Sequence, residues 1–212
     1  FDNRAMMGWI HVAHIEMQDA HYGRALELLK RAEARAKAIG SAYGLSQAYA
    51  AIGEASRLAG DLNSAEDYYE KSYQIQNDIG NVSAQLARIN VGLTRVERGD
   101  RGSARLLLLQ SLTRTQKKLY IVAAHLGLLV CAAEDRDPSA WRESMDLLIE
   151  WGSHGRADID FAHMSELAAT TALDAGHIDR CREAWGFAAR QMHRLGRHEE
   201  VTRIGDALAA LG

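Results

Sequence analysis

The chain has 212 residues, of which 47% are hydrophobic and 25% charged, a composition typical of a folded protein with a full core. Its formal net charge of -3 provides no field that would attract nucleic acid or an anionic membrane surface. No apolar run approaches the roughly 18 residues needed to cross a bilayer, so we expect neither a nucleic-acid partner nor a membrane partner. The single proline, together with abundant helix-forming residues, predicts an all-α protein.

One pattern recurs about every 40 residues: a small residue in one helix, a Gly-Asp-like turn, and an alanine followed by a large apolar residue. The clear copies, in chain order, are Val12-Ala13, Ala20-His21, Ala25 and Leu29; Ile52-Gly53, Gly60-Asp61, Ala65 and Tyr69; Val91-Gly92, Gly99-Asp100, Ala104 and Leu108; and Ala168-Ala169, Gly176-His177, Cys181 and Trp185. A period of this length is typical of stacked helical repeats, in which each unit contacts its neighbours.

Each copy predicts a hairpin of two helices. The hairpins are predicted at about 6–45, 46–84, 85–120, 121–160 (degenerate) and 161–196, with a capping helix at 197–211. Gly40 and Gly80 predict the helix ends between hairpins. Asp61 and Asp100 are expected to cap the second helices by accepting from free backbone N–H groups.

The small residues also predict how the two helices of a hairpin meet. Gly53 on the first helix should face Ala65 on the second, which allows the two helices to approach closely. Tyr69 and Trp185 are then expected to fill the space between adjacent hairpins. The packing positions should therefore agree from copy to copy.

Small and aromatic residues occupy equivalent places in the copies: Trp9, Tyr49, Gly53, Gly92, Gly60-Asp61, Gly99-Asp100, Ala25, Ala65, Ala104, Ala32 and Ala188. At these positions the sequence resembles the tetratricopeptide repeat, over residues 6–211, although the closing proline is missing and the repeat is about 40 residues long instead of about 34. Such lengthened repeats look like those of cell-polarity adaptors and of bacterial signalling regulators. The resemblance implies one right-handed superhelical solenoid over residues 1–212, with a concave groove that binds proteins or peptides.

Residues with catalytic or ligand-binding chemistry are sparse. The sequence has no phosphate-binding glycine motif, no nucleophile motif and no paired-cysteine or paired-histidine metal motif, so we expect neither an enzyme nor a cofactor. The best metal candidate combines His11, His14 and His21 with Glu16. The repeat places His21 in a turn and directs Glu16 toward the second helix, which favours ordinary surface histidines over a metal site.

Charge alternates along the chain although the net charge is small. Residues 85–119 carry eight Lys/Arg and two Asp/Glu, whereas residues 46–84 carry two and six, and residues 120–160 carry three and eight. One interpretation is a docking site for an acidic segment. The other, which we favour, is charge complementarity between neighbouring repeats.

The face of each first helix that hairpin packing does not use is the candidate partner-binding groove. Its predicted residues are Ile10, His14, Met17, Glu54, Arg57, Leu86, Ile89, Asn90, Leu93, Val96, Glu166, Thr170 and Leu173. The first helices of the third and fourth repeats are apolar nearly all round, and a helix of that kind is normally buried. A bound partner, a second copy, the remainder of a longer polypeptide or the superhelix itself could cover them.

These observations predict a protein- or peptide-binding scaffold. Its partner is expected to be a protein or peptide, for example an amphipathic helix, another domain of the same polypeptide or a second copy in a homodimer. The start at Phe1, without a methionine, indicates a piece of a larger signalling or regulatory protein. Two cysteines expected to be reduced and buried fit a cytoplasmic location. The alternative function is a sensory domain in which a small molecule or peptide switches an attached effector.

Overall fold

The computed structural model describes residues 2–153, 155 and 157–211, and side chains from residue 4 onward. Within these ranges the chain forms eleven helices and no strand, which confirms the all-α prediction. The helices are α1 (Asp2–Gln18), α2 (Tyr22–Ala38), α3 (Ala42–Leu58), α4 (Leu62–Asp78), α5 (Ala84–Glu97), α6 (Arg101–Leu112), α7 (Lys118–Ala132), α8 (Ser139–Ser153), α9 (Ile159–Asp174), α10 (Ile178–Arg194) and α11 (His198–Ala209). None of the described helices is long and apolar enough to cross a membrane.

The helices follow the predicted repeats. Each predicted hairpin corresponds to two consecutive helices, and the predicted capping helix corresponds to α11. The chain divides into two compact units, 1–98 and 99–212, so the division falls between α5 and α6, inside the predicted third repeat. A single continuous solenoid stays a prediction.

The first unit contains α1 to α5, and each of these helices packs against the next in the chain. Because short turns connect α1 with α2 and α3 with α4, the two members of each pair run antiparallel. Alanines such as Ala25 and Ala65 are completely buried at the helix crossings, as the repeat pattern predicts. Larger apolar side chains, including Leu29 and Ile52, complete the core.

Tyr69 packs beside Gly53 inside its own hairpin, and its predicted place between adjacent hairpins stays a prediction. A Cβ atom added at Gly53 would lie 2.9 Å from Cδ1 of Tyr69, so the tyrosine ring occupies the space beside the glycine. The ring is 1% exposed and fills a gap inside its own hairpin, between α3 and α4. The glycine therefore makes room for an aromatic ring and does not simply face Ala65.

Asp61 and Asp100 behave differently at the starts of α4 and α6. Asp61 Oδ1 accepts from the backbone N–H of Ser64 at 3.1 Å, which confirms its predicted capping role. Asp100 makes no such bond to the backbone of α6, and its Oδ2 accepts from the Ser103 hydroxyl at 2.5 Å. The predicted cap at Asp100 is therefore wrong.

The helix ends depend on residues in the left-handed region. Gly40 and Gly80 both have φ of +65°, which confirms their predicted role as helix ends. The first copy has Ala20 where the next has Gly60, and Ala20 is the only described residue other than glycine with positive φ, at +59°.

We expect Ala20→Gly to stabilise the protein. A side chain in the left-handed region costs roughly 1 kcal/mol, and glycine removes most of that cost although it gives the unfolded chain more freedom. Urea unfolding followed by circular dichroism should show a gain of about 0.5–1 kcal/mol in unfolding free energy. Gly60→Ala, the reverse change one repeat later, should lower it by a similar amount. Destabilisation by Ala20→Gly would contradict the inferred strain.

The second unit contains α6 to α11, with α7 at its centre. α7 packs against α6, α8 and α9, and its residues from Ala124 to Ala132 are all buried, in agreement with its nearly uniform apolar sequence.

The Nδ1 atom of His125 lies 3.0 Å from the Ser144 hydroxyl, and burial lowers the pKa of the imidazole. Cys131 and Cys181 are free and buried as predicted, and burial raises the pKa of the Cys131 thiol to about 11.

Candidate functional site: the first-helix face

All apolar members of the predicted groove in the first unit except Leu86 are buried within the chain. None of these five residues is more than 5% exposed: Ile10, Met17, Ile89, Leu93 and Val96. Of the alternatives for their covering, shielding by the chain itself is the one that the structure shows. These side chains offer no surface to a partner, so Leu93 belongs to the core and not to a partner-binding groove.

Polar side chains of the groove remain accessible. His14 on α1 and Glu54 on α3 lie one repeat apart, and the distance from His14 Nδ1 to Glu54 Oε2 is 3.6 Å. Their side chains are 43% and 41% exposed. The 40-residue period thus brings equivalent positions of two first helices into contact at the surface.

Arg57 has a different role from the one predicted. Its Nη1 donates to Oε1 of Glu97 on α5 at 2.6 Å, and only 6% of the arginine side chain is exposed. An ion pair this strongly shielded from water joins α3 to α5 and neutralises a charge that would otherwise be costly to bury. Arg57 therefore stabilises the packing of α3 against α5 and does not present its charge to a ligand.

The first helix of the third repeat, α5, contributes Leu86 and Asn90 to this face. Both residues are half-buried. The carbonyl oxygen of Asn90 accepts from the Thr94 hydroxyl at 2.8 Å. The accessible residues His14, Glu54, Leu86 and Asn90 define what we call the first-helix face of the first unit. The accessible face is more polar than the predicted groove, because the groove residues Ile10, Ile89, Leu93 and Val96 are buried in the core.

The predicted groove residues of the second unit lie on α9. Glu166 is half-buried, and its Oε1 accepts from Arg203 of α11 at 2.6 Å. Thr170 is exposed and donates its hydroxyl to the Leu167 carbonyl at 3.0 Å, while Leu173 is half-buried. A groove that includes α9 together with the first-helix face stays a prediction.

The candidate metal ligands do not come together. His21 Nδ1 lies 3.0 Å from Glu16 Oε2, whereas His14 is paired with Glu54, and His11 is exposed on α1. Over residues 4–153, 155 and 157–211, no three His, Cys, Asp or Glu side chains are arranged to hold a metal ion. His21 occupies the turn before α2, as the repeat pattern predicts.

Several Lys and Arg residues of the basic segment 85–119 form ion pairs with carboxylates of neighbouring helices. In the first unit Arg95 and Arg98 both contact Glu66, each at 2.7 Å. In the second unit the pairs are Arg101 with Glu134 at 3.3 Å, Arg105 with Asp135 at 2.9 Å, and Lys118 with Glu150 at 2.6 Å. For these bases the structure shows the complementarity between neighbouring repeats that we favoured.

A cleft between α8 and α10 was missed by the sequence analysis. It has a volume of about 600 Å³ and is lined by Pro138, Trp141, Arg142, Asp146, Asp179, Arg180 and Glu183. Trp141 donates from Nε1 to Glu183 at 2.7 Å, and Arg180 donates to the carbonyls of Ala132 and Asp135 at the end of α7. The cleft includes α8, which belongs to the degenerate fourth repeat, so the repeat pattern gave no signal for it.

The chain was compared with known proteins. No protein-family model matches it, and no curated protein matches it either.

Proposed function

We propose that the chain is a protein- or peptide-binding module of the tetratricopeptide-repeat type, and that a partner segment lies on the first-helix face of the first unit. Within a larger regulatory protein, such a module would bring a partner to an attached effector. The repeated hairpins support this proposal, because their packing residues agree between copies while the first-helix residues differ. Repeat proteins commonly bind their partners on the extended surface that the stacked repeats create.

The observation that carries the proposal is that α1, α3 and α5 present accessible polar groups side by side. The contact between His14 and Glu54 places α1 next to α3, and the ion pair between Arg57 and Glu97 places α3 next to α5. Side chains that protrude from three helices supported by a packed core are held in place better than loop side chains. Such a face suits a ligand with hydrogen-bonding groups along its length.

The chemistry of the face suggests a polar peptide segment. The Asn90 amide can donate to and accept from a peptide backbone, and the Glu54 carboxylate can accept from a backbone N–H or a basic side chain. Leu86 is the apolar member of the face. We expect modest affinity, since a hydrogen bond that replaces bonds to water contributes only about 0.5–1.5 kcal/mol.

A random peptide library displayed on phage provides the test. Peptides selected on the purified chain would be synthesised, and their binding measured by fluorescence anisotropy. We expect the double variant Glu54→Ala, Asn90→Ala to bind them at least about tenfold more weakly, because it removes two central polar contacts.

Asp67→Ala, Glu70→Ala is the matched control, since it removes two exposed polar side chains from α4 and should leave the affinity unchanged. Circular dichroism would establish that each variant keeps its helicity. Equal affinity for the wild-type chain and for the Glu54, Asn90 variant would overturn the proposed face. Failure to enrich any peptide would overturn the proposed function.

The cleft between α8 and α10 favours a second candidate, a sensory domain for a small molecule. Its volume lies within the roughly 300–1,000 Å³ of known ligand pockets, and it carries both arginine and aspartate side chains that suit a zwitterion. Free amino acids should then raise the melting temperature of the chain but not that of Arg142→Ala. If none of them raises it, this candidate is lost.

A further inference from the structure

The solvent side of α6 carries two exposed leucines. Leu106 is 65% exposed and Leu109 is 47% exposed. Because they lie three residues apart in a helix, their side chains are neighbours on one face. They form what we call the α6 leucine pair.

In the first two repeats, charged residues occupy these positions. Aligned on Gly60-Asp61 and Gly99-Asp100, Leu106 corresponds to Asp67 and Leu109 to Glu70. One repeat earlier the equivalent residues are Glu27 and Lys30, and all four charged residues are exposed. The fold thus accepts charge at both positions, so packing does not explain the leucines.

Two basic residues, Arg114 and Lys117, come shortly after the α6 leucine pair in the sequence. Most bases of the second unit's first two helices are paired with carboxylates, as Arg105 is with Asp135. Among the described residues, Arg114 and Lys117 have no carboxylate close enough for an ion pair, and Lys117 contacts only the Tyr120 side chain. Two cations therefore remain available just after the C-terminal end of α6.

We propose that the α6 leucine pair, with Arg114 and Lys117, is a second docking surface that binds an acidic amphipathic helix of a partner protein. The partner's apolar stripe covers Leu106 and Leu109, and its acidic residues meet the two cations. Helices that dock in this way present apolar residues at i, i+3, i+4 and i+7. The leucines of this surface lie on α6, the second helix of the third repeat, and none of its residues belongs to the first-helix face.

A second copy of the chain fits this surface less well. In a two-fold dimer the same patch meets itself, which would bring the cations of both copies to one interface. Charge complementarity therefore favours a partner with acidic residues.

The test uses a synthetic helical peptide with leucines at i, i+3, i+4 and i+7 and glutamates at the other positions. Its matched control has lysines in place of the glutamates. Fluorescence anisotropy with the full chain should show binding of the glutamate peptide, weakened by salt, and no binding of the lysine peptide.

Variants localise the binding. Leu106→Asp, Leu109→Glu introduces the residues that α4 has at the same positions, so we expect an unchanged melting temperature and a loss of affinity of at least about tenfold. Arg114→Glu, Lys117→Glu should also weaken binding, whereas Glu54→Ala, Asn90→Ala should not. This last variant separates the surface from the first-helix face.

Three results would overturn the proposal. The first is that the glutamate peptide does not bind, or binds no better than the lysine peptide. The second is equal affinity for the wild-type chain and the Leu106, Leu109 variant. The third is a concentration-dependent dimer in sedimentation velocity that this variant abolishes, because that result would assign the surface to a second copy.

Discussion

Leu93→Asp is expected to unfold the first unit, not to produce a folded protein that has lost its partner. The leucine side chain is 3% exposed, so the substitution removes core packing and brings a carboxylate into a place without water. We expect the unfolding free energy to fall by about 5 kcal/mol, a large part of the stability of an ordinary domain. Urea unfolding followed by circular dichroism measures this change.

Leu106→Asp is the matched control, because it makes the same chemical change at a leucine that is 65% exposed. Its unfolding free energy should stay within about 0.5 kcal/mol of the wild-type value. If Leu93→Asp were as helical and as stable as this control, Leu93 would lie outside the core. The groove covered by a partner would then be the better interpretation.

Glu97→Gln is expected to cost about 3 kcal/mol, because it removes the charge that compensates the buried guanidinium of Arg57. Arg57→Met should cost less, since Glu97 is partly exposed and methionine fills part of the arginine's space. The double variant should recover most of the loss. The coupling energy from the four unfolding curves measures the pair itself.

The pair Lys118 and Glu150 is a control with the same distance of 2.6 Å but with side chains that are 55% and 56% exposed. Its double-mutant cycle, with Lys118→Met and Glu150→Gln, should give a coupling of about 0.5 kcal/mol or less. Equal coupling in the two cycles would contradict a special role for burial at Arg57.

The features that the sequence predicted well depend on local chemistry. Glycines in the left-handed region, such as Gly40, commonly end helices, and apolar residues spaced three and four apart indicate a helix with one buried face. The 40-residue period also predicts which helices are neighbours. The helices and the turns that connect them were therefore predictable from one sequence.

The composition of the candidate site was less predictable because burial depends on the surrounding helices. Leu93 and Glu54 occupy equivalent places in two repeats, yet one side chain is buried and the other is partly exposed. Arg57 belongs to the core only because Glu97 meets it there. The α6 leucine pair was visible in the sequence, since the same positions carry charge in the first two copies, but its exposure required the structure.

The most direct test of the account is an NMR titration of the isotope-labelled chain with a library-selected peptide. If the first-helix face of the first unit binds the peptide, the largest shifts will occur in the amides of α1, α3 and α5 around His14, Glu54 and Asn90. Shifts confined to α2 and α4, or to the second unit, would contradict the account.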